Sequence, residues 1–269
     1  MNTSTPPLLD VDGVTLQYKT REHRVTATYR VSFQVRQGDR FVLLGPSGCG
    51  KSTLLNMAAG LMTPSGGSVE IFGEPLNGIN RKAGYMFQQD ALLPWKTVLD
   101  NILLGLELRG ADPKAAEQTA RDWIHRVGLD GFADRYPHQL SGGMRKRVAM
   151  AQTWITDPAI VFMDEPFGAL DVHTRLRMEG EILGLWAETK KTVMFVTHDL
   201  EEAIALSDEV VVLSAGPASH IVGVYQVDLE RPRNLIDIKT DPRFTEIYGS
   251  IWRDLREEVL KSYERNEKV

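Results

Sequence analysis

Residues 41–56 read Phe41-Val-Leu-Leu-Gly45-Pro-Ser-Gly-Cys-Gly50-Lys-Ser-Thr-Leu-Leu-Asn56, and they decide the fold. Gly45 to Ser52 fit the pattern G-x-x-x-x-G-K-[ST], with an apolar strand-like run before it and a helix opening after it. Gly45, Gly48 and Gly50 let the backbone enter conformations closed to other residues, so successive N–H groups can point at phosphate oxygens. The helix N-terminus adds a partial positive charge. Lys51 brings a full charge to β- and γ-phosphates, and the Ser52 hydroxyl is placed to ligate magnesium.

Outward from this loop, composition sets bounds. The chain has 269 residues, 42% hydrophobic and 25% charged, as in an ordinary water-exposed globular protein with ample core. A net charge of −5 gives no footprint for nucleic acid. The single cysteine, Cys49, excludes an internal disulfide framework and fits a reducing compartment. No apolar run is long enough to span a bilayer, and Met1 to Asp10 lack a basic-then-apolar leader. The expectation is a cytoplasmic protein that reaches a membrane only through a partner.

In chain order, Val14, Leu16 and Tyr18, then Tyr29, Val31, Phe33 and Val35, alternate as antiparallel strands do. The helix after the phosphate loop is predicted to run to about Leu61. Short strands follow at Ser68–Phe72 and Gly84–Phe87. Helical periodicity takes over at Val98–Leu108, after Asp112-Pro113, and from Ser141 to about Ile155. Strands return at Ala159–Met163, Thr192–Thr197 and Glu209–Ser214, separated by helices near 172–189 and 200–207. Such alternation predicts a parallel sheet with covering helices. Residues 216–238 look like irregular β structure. Phe244, Ile247, Tyr248, Ile251, Trp252, Leu255 and Val259 then mark an amphipathic helix from Pro242, read as a packing element.

Two more constellations carry chemistry. Ala159 to Met163 is a buried strand ending in Asp164-Glu165, at the carboxyl edge where open α/β sheets bind ligands. Asp164 is placed to hold magnesium and Glu165 to polarise an attacking water. Ser141-Gly142-Gly143 at a helix start can form a second anion cradle.

Together these motifs resemble the ATP-binding subunits of ABC transporters. The resemblance covers about residues 8–215, in family order: Gly45–Ser52 as Walker A, Gln88 as the Q-loop glutamine, and Leu140–Met144 as the signature. Asp164 and Glu165 follow as Walker B and catalytic glutamate, Ala169-Leu170-Asp171 as the D-loop, and His198 as the switch histidine. Tyr18 sits where that family stacks adenine. The resemblance implies a P-loop NTPase (RecA-like) α/β fold: a parallel sheet core, an antiparallel β subdomain, an inserted helical subdomain at about 88–157, and a C-terminal extension over 216–269. It implies ATP and Mg2+ as cofactors. Tyr18, Gly45, Pro46, Ser47, Gly48, Cys49, Gly50, Lys51, Ser52, Thr53, Ser141, Gly142, Gly143 and Asp171 would bind nucleotide. Ser52, Gln88 and Asp164 would meet the metal, with Glu165, His198 and Gln88 catalytic.

It further implies a head-to-tail homodimer in which Ser141 and Gly143 of one copy close on the γ-phosphate held by Lys51 of the other. Transmembrane permease subunits and, indirectly, a periplasmic or lipid-anchored solute-binding protein would complete an importer at the cytoplasmic face of the bacterial inner membrane. Leu92-Leu93-Pro94-Trp95-Lys96-Thr97-Val98, with Met144, is similar to the nitrate/sulfonate/taurine importer branch. Trp95 is read equally as a packing aromatic or a partner contact. Met144 and Lys146 depart from the glutamines common in relatives. Arg145, Lys146 and Arg147 are expected on a solvated or partner-facing surface. His23, His125, His138, His173 and His220 lack metal-ligand spacing. Alkylation of Cys49 is expected to block ATP sterically. A non-transport ABC ATPase would need a long coiled-coil insertion or two cassettes, and a P-loop kinase or GTPase leaves Ser141–Met144 and His198 unexplained.

Overall fold

A computed structural model describes residues 6–19, 24–168 and 170–266, so His23 and Ala169 lie outside the described residues. In chain order, β1 (Leu9–Lys19), β2 (Arg24–Val35) and β3 (Arg40–Leu44) lead to α1 (Lys51–Ala58). Then come β4 (Gly66–Ile71), β5 (Glu74–Pro75), β6 (Ala83–Met86), α2 (Val98–Leu108), α3 (Pro113–Arg126) and α4 (Gly142–Trp154). The chain continues through β7 (Ile160–Asp164), α5 (Val172–Thr189), β8 (Thr192–Thr197), α6 (Leu200–Leu206), β9 (Glu209–Leu213), β10 (Ile221–Gln226) and α7 (Pro242–Asn266). The described residues form two compact units, one from Met1–Arg81 with Lys191–Val269, the other Lys82–Lys190.

In the first unit, β3 lies parallel to both β8 and β9, and β10 closes antiparallel on β9. Every residue of β3 and β8 is buried, the unbroken pattern of strands covered on both faces. A second, antiparallel sheet in the order β2-β1-β4-β5 belongs to the same unit. The β1–β2 ladder shifts register at three places, and one of them reorients β2. A register shift sets Leu16 opposite Thr28 while Val14 faces Val31, and Arg30 has φ +49°. This bulge turns Thr28 fully inward and leaves Tyr29 exposed, reversing the inward position expected for Tyr29.

Helix α1 ends at Ala58, short of the expected Leu61. Gly60 takes φ +71°, and a Cβ there would stand 1.9 Å from the Gly78 carbonyl oxygen, so the chain must turn on a glycine. Between 216 and 238 the β structure consists of the strand β10 and an isolated bridge between Ser219 and Thr28. On α7 the buried stripe is Phe244, Ile247, Ile251, Leu255 and then Glu258, whereas Trp252, expected on that face, is exposed.

In the second unit β6 and β7 pair in parallel, accompanied by α2, α3, α4 and α5. Asp112 caps α3 by accepting from the Ala115 N–H, with Pro113 at the first position as its sequence predicts.

Candidate nucleotide site

The phosphate loop joins β3 to α1. Gly48 and Gly50 have φ +76° and +95°, which a β-carbon would strain. Gly50 is the N-cap of α1, and no side chain caps it. By contrast α2, α3, α4, α5 and α6 are each capped by a Thr, Asp or Ser oxygen. The N-terminus of α1 therefore presents its first-turn N–H groups to the loop, the layout that anions occupy. Lys51 is buried, and its ammonium donates to the carbonyls of Gly45 at 2.9 Å and Pro46 at 3.0 Å. Two of its three N–H bonds thus fix the head group inside the loop. Cys49 is fully buried, its sulfur 2.9 Å from where a Gly45 Cβ would lie. A thiol so enclosed is shielded from alkylation in the folded protein, so the expected modification needs the loop to open first.

His198 is exposed at the end of β8, and with Gly45, Pro46 and Ser47 it lines a cavity of about 540 Å³. The other wall is α7, through Tyr248, Trp252, Leu255 and Tyr263. Asp199 beside His198 caps α6 by accepting from the Glu201 and Glu202 N–H groups. Tyr18 stands near the end of β1 and is 42% exposed, as a stacking residue must be, and its hydroxyl reaches the Met62 sulfur at 3.9 Å.

In the second unit β7 delivers Asp164 at its last position, and Glu165 follows with φ +42°. Gln88, just past β6, donates to the Glu165 carboxylate at 3.3 Å. Burial, and then the Asp164 carboxylate, push the Tyr85 phenol well up, so it stays protonated beside the acidic pair.

Lys146 explains where the Q-loop segment is held. It is 3% exposed, and its ammonium donates to the Gln88 carbonyl at 2.6 Å and the Phe87 carbonyl at 3.3 Å. It also lies 3.4 Å from Asp90, which accepts from Arg145 at 3.0 Å. Arg147 pairs with Glu181. Arg145 and Lys146 thus tie α4 to the Gln88 segment while Arg147 ties it to α5, so Lys146 at least does not lie on the solvated or partner-facing surface its sequence suggests. Burial lowers the Lys146 ammonium, and the neighbouring Asp90 opposes that shift. Nothing in the local pattern distinguishes a buried lysine here from an exposed one. Asp90 two residues after Gln88 is the only signal.

Ser141 is the N-cap of α4, accepting from the Met144 N–H at 3.3 Å. Its own proton remains available to donate, and Ser141 and Gly142 are exposed. Asp171 caps α5 through the Thr174 N–H. Asn101, which the sequence reading passed over, is fully buried within α2. Its amide donates to the Leu93, Lys96 and Thr97 carbonyls at 3.2, 3.0 and 2.8 Å, and its oxygen accepts from Leu93 N–H at 2.8 Å. That staple leaves Trp95 72% exposed, which rules out the packing alternative. An asparagine inside an otherwise apolar helical run was the available clue.

A glycine-lined loop, an uncapped helix start and a buried lysine define a P-loop nucleotide-binding protein. Comparison with known proteins narrows the class. Residues 28–168 match the family described as ABC transporter, and the chain belongs to that family. It is 45% identical to an uncharacterized ABC transporter ATP-binding protein of Methanocaldococcus jannaschii, over 94% of this chain and 93% of that one. It is 39% identical to the aliphatic sulfonates import ATP-binding protein SsuB of Bacillus cereus, over 96% of each. It is 41% identical to the taurine import ATP-binding protein TauB of Burkholderia thailandensis, over 91% and 96%. Among solved structures, a dimeric post-hydrolysis ATP-binding cassette bound to ADP and phosphate matches with TM-score 0.73 and 31% identity. That match covers 82% of this chain and all of the other. Among the described residues, no helix is long and apolar enough to cross a membrane.

Proposed function

We infer that this chain is the ATP-hydrolysing subunit of an ABC importer for a small solute of the nitrate, sulfonate or taurine type. The observation that carries the reading is the α1 N-terminus, left without a side-chain cap behind Gly48 and Gly50. Residues 8–215 form the ATPase domain, with a helical subdomain at about 88–157 and an extension over 216–269. Lys51 and the loop N–H groups bind the β- and γ-phosphates, and Tyr18 stacks on adenine.

The hydroxyl of Ser52, the carboxylate of Asp164 and the amide oxygen of Gln88 are hard oxygen donors, the chemistry that suits Mg2+. When bound, the ion neutralises charge between the phosphates. Glu165 takes up the proton of the attacking water, and the amide of Gln88 orients that carboxylate. His198 donates to the γ-phosphate.

The chain acts as a head-to-tail homodimer. Ser141 donates its proton to the γ-phosphate held by the other copy, alongside the exposed N-terminus of its α4, and Asp171 belongs to the same junction. The relatives named for sulfonate and taurine import favour permease subunits as partners, served by a solute-binding protein. The loop displaying Trp95 faces the permease on the cytoplasmic side. Lys51→Ala tests the reading. It should abolish measurable phosphate release and weaken ATP binding more than about tenfold. Unchanged ATP binding would overturn the assignment of the cradle.

A further inference from the structure

The phosphate loop rests on a strap of chain, 213–219, that its motif does not include. A Cβ on Gly45 would stand 3.1 Å from the Leu213 carbonyl oxygen, and one on Gly50 would stand 3.5 Å from the Ser219 hydroxyl. A Cβ on Gly216 would meet the Gly48 carbonyl oxygen at 2.9 Å and Cys49 Cα at 3.4 Å. Strap and loop are therefore in backbone contact, with no side chain between them to absorb a displacement.

The strap is held at both ends. At its far end the Ala218 and Ser219 N–H groups donate to Thr26 and Ala27 of β2 at 2.6 and 3.1 Å. At its near end Ser214 and His220 exchange backbone and hydroxyl bonds. The middle has a different anchor. The N–H of Ala215 donates at 2.7 Å to the carboxylate of Glu258 on α7, a residue only 5% exposed. Arg265, further along α7, donates to the Gly216 carbonyl. Burial pushes the Glu258 carboxyl up, but the Lys261 ammonium and the Ala215 N–H outweigh it and hold it below the usual range. The acceptor is therefore an ionised carboxylate, the stronger kind for a backbone N–H.

On the reading that Gly45–Ser52 cradles ATP, we propose that Glu258 is a positioning residue for that loop. Its bond to Ala215 seats Gly216 against Gly48 and Cys49, and so makes the C-terminal helix a determinant of ATP affinity. Glu258 touches no phosphate itself. Its loss lets the strap withdraw, and the loop N–H groups lose their common aim.

The test uses the full chain, with ATP titrated in a phosphate-release assay and melting followed in parallel. Glu258→Ala should raise KM for ATP about five- to tenfold, with kcat changed less than about twofold. Glu258→Gln, whose amide oxygen still accepts from Ala215, should stay within about twofold of the unaltered KM. Gly216→Ala pushes on Gly48 directly and should raise KM with α7 intact. It decides the matter if Glu258→Ala does not fold. Ile247→Ala thins α7 packing away from the strap and should lower the melting temperature without moving KM. A normal KM in both Glu258→Ala and Gly216→Ala would overturn the proposal. So would an Ile247→Ala protein whose KM rises as much as that of Glu258→Ala. Lys51→Ala separates the two claims. If it leaves ATP binding intact, the cradle reading fails; if it abolishes binding while Glu258→Ala does nothing, only the positioning role fails.

Discussion

Lys146→Met keeps the length and stem of the side chain but removes the ammonium from the tie between α4 and the Gln88 segment. Two carbonyl oxygens, of Gln88 at 2.6 Å and Phe87 at 3.3 Å, lose this donor, and among the described residues Asp90 keeps Arg145. Hydrogen bonds to a charged group are worth about 1.5–3 kcal/mol each. Two effects reduce that sum. Burying the lysine is itself costly, as its lowered ammonium indicates, and the exposed Phe87 and Gln88 let water reach the freed carbonyls. A net loss of about 1–2 kcal/mol follows, or roughly 3–6 °C in melting temperature for a chain of this size. The functional effect should exceed the stability effect. Gln88 sits 3.3 Å from Glu165, so a displaced Gln88 disorients that carboxylate. At saturating ATP, phosphate release should fall about five- to tenfold, while KM for ATP stays within about twofold. Lys146→Gln should fall between, because its amide can still donate to the Gln88 carbonyl. A Lys146→Met protein with undiminished kcat, or one whose only change is a raised KM, would refute the reasoning.

Asn101→Ala removes four hydrogen bonds from a fully buried site and takes from the Leu93 N–H and the Lys96 carbonyl of the 93–97 loop the partner that Asn101 supplies. It should cost about 2–4 kcal/mol, lowering melting by roughly 5–10 °C, and should raise proteolysis at that loop. Asp171 responds to pH. Hydrogen bonds from the Thr174 hydroxyl and N–H hold its carboxyl below the usual range. The folded protein thus binds its proton less readily than the unfolded chain, so the cap's stabilisation is present above about pH 4 and lost as pH falls through the folded value. Asp171→Asn should flatten this part of the acid-unfolding profile, measured by helicity from pH 5 downward.

The chemistry-bearing part of the fold was legible because phosphate binding demands residue types at fixed spacing. Only glycine tolerates φ +76° and +95° at 48 and 50, and only a strand-to-helix turn places Lys51 there. Buried strands β3, β7 and β8 announced themselves as unbroken apolar runs. What stayed hidden depends on long-range packing. The inward turn of Thr28 comes from a bulge that breaks the period-two pattern at Arg30. Lys146 and Glu258 carry charges that a pattern reading assigns to solvent, yet each is buried because a partner far along the chain satisfies it: Asp90 and two carbonyls for the first, the Ala215 N–H for the second. Trp95 is exposed for a similar reason, since the Asn101 amide fixes its loop from inside.

The central claim, that ATP joins two copies through the phosphate loop of one and the α4 start of the other, is tested most directly by light scattering on Glu165→Gln. The account predicts that this protein, slow to hydrolyse, doubles in mass when ATP is added, and that Ser141→Arg in the same background abolishes the shift. A Glu165→Gln protein that stays monomeric with saturating ATP, or that hydrolyses it at the unaltered rate, would contradict it.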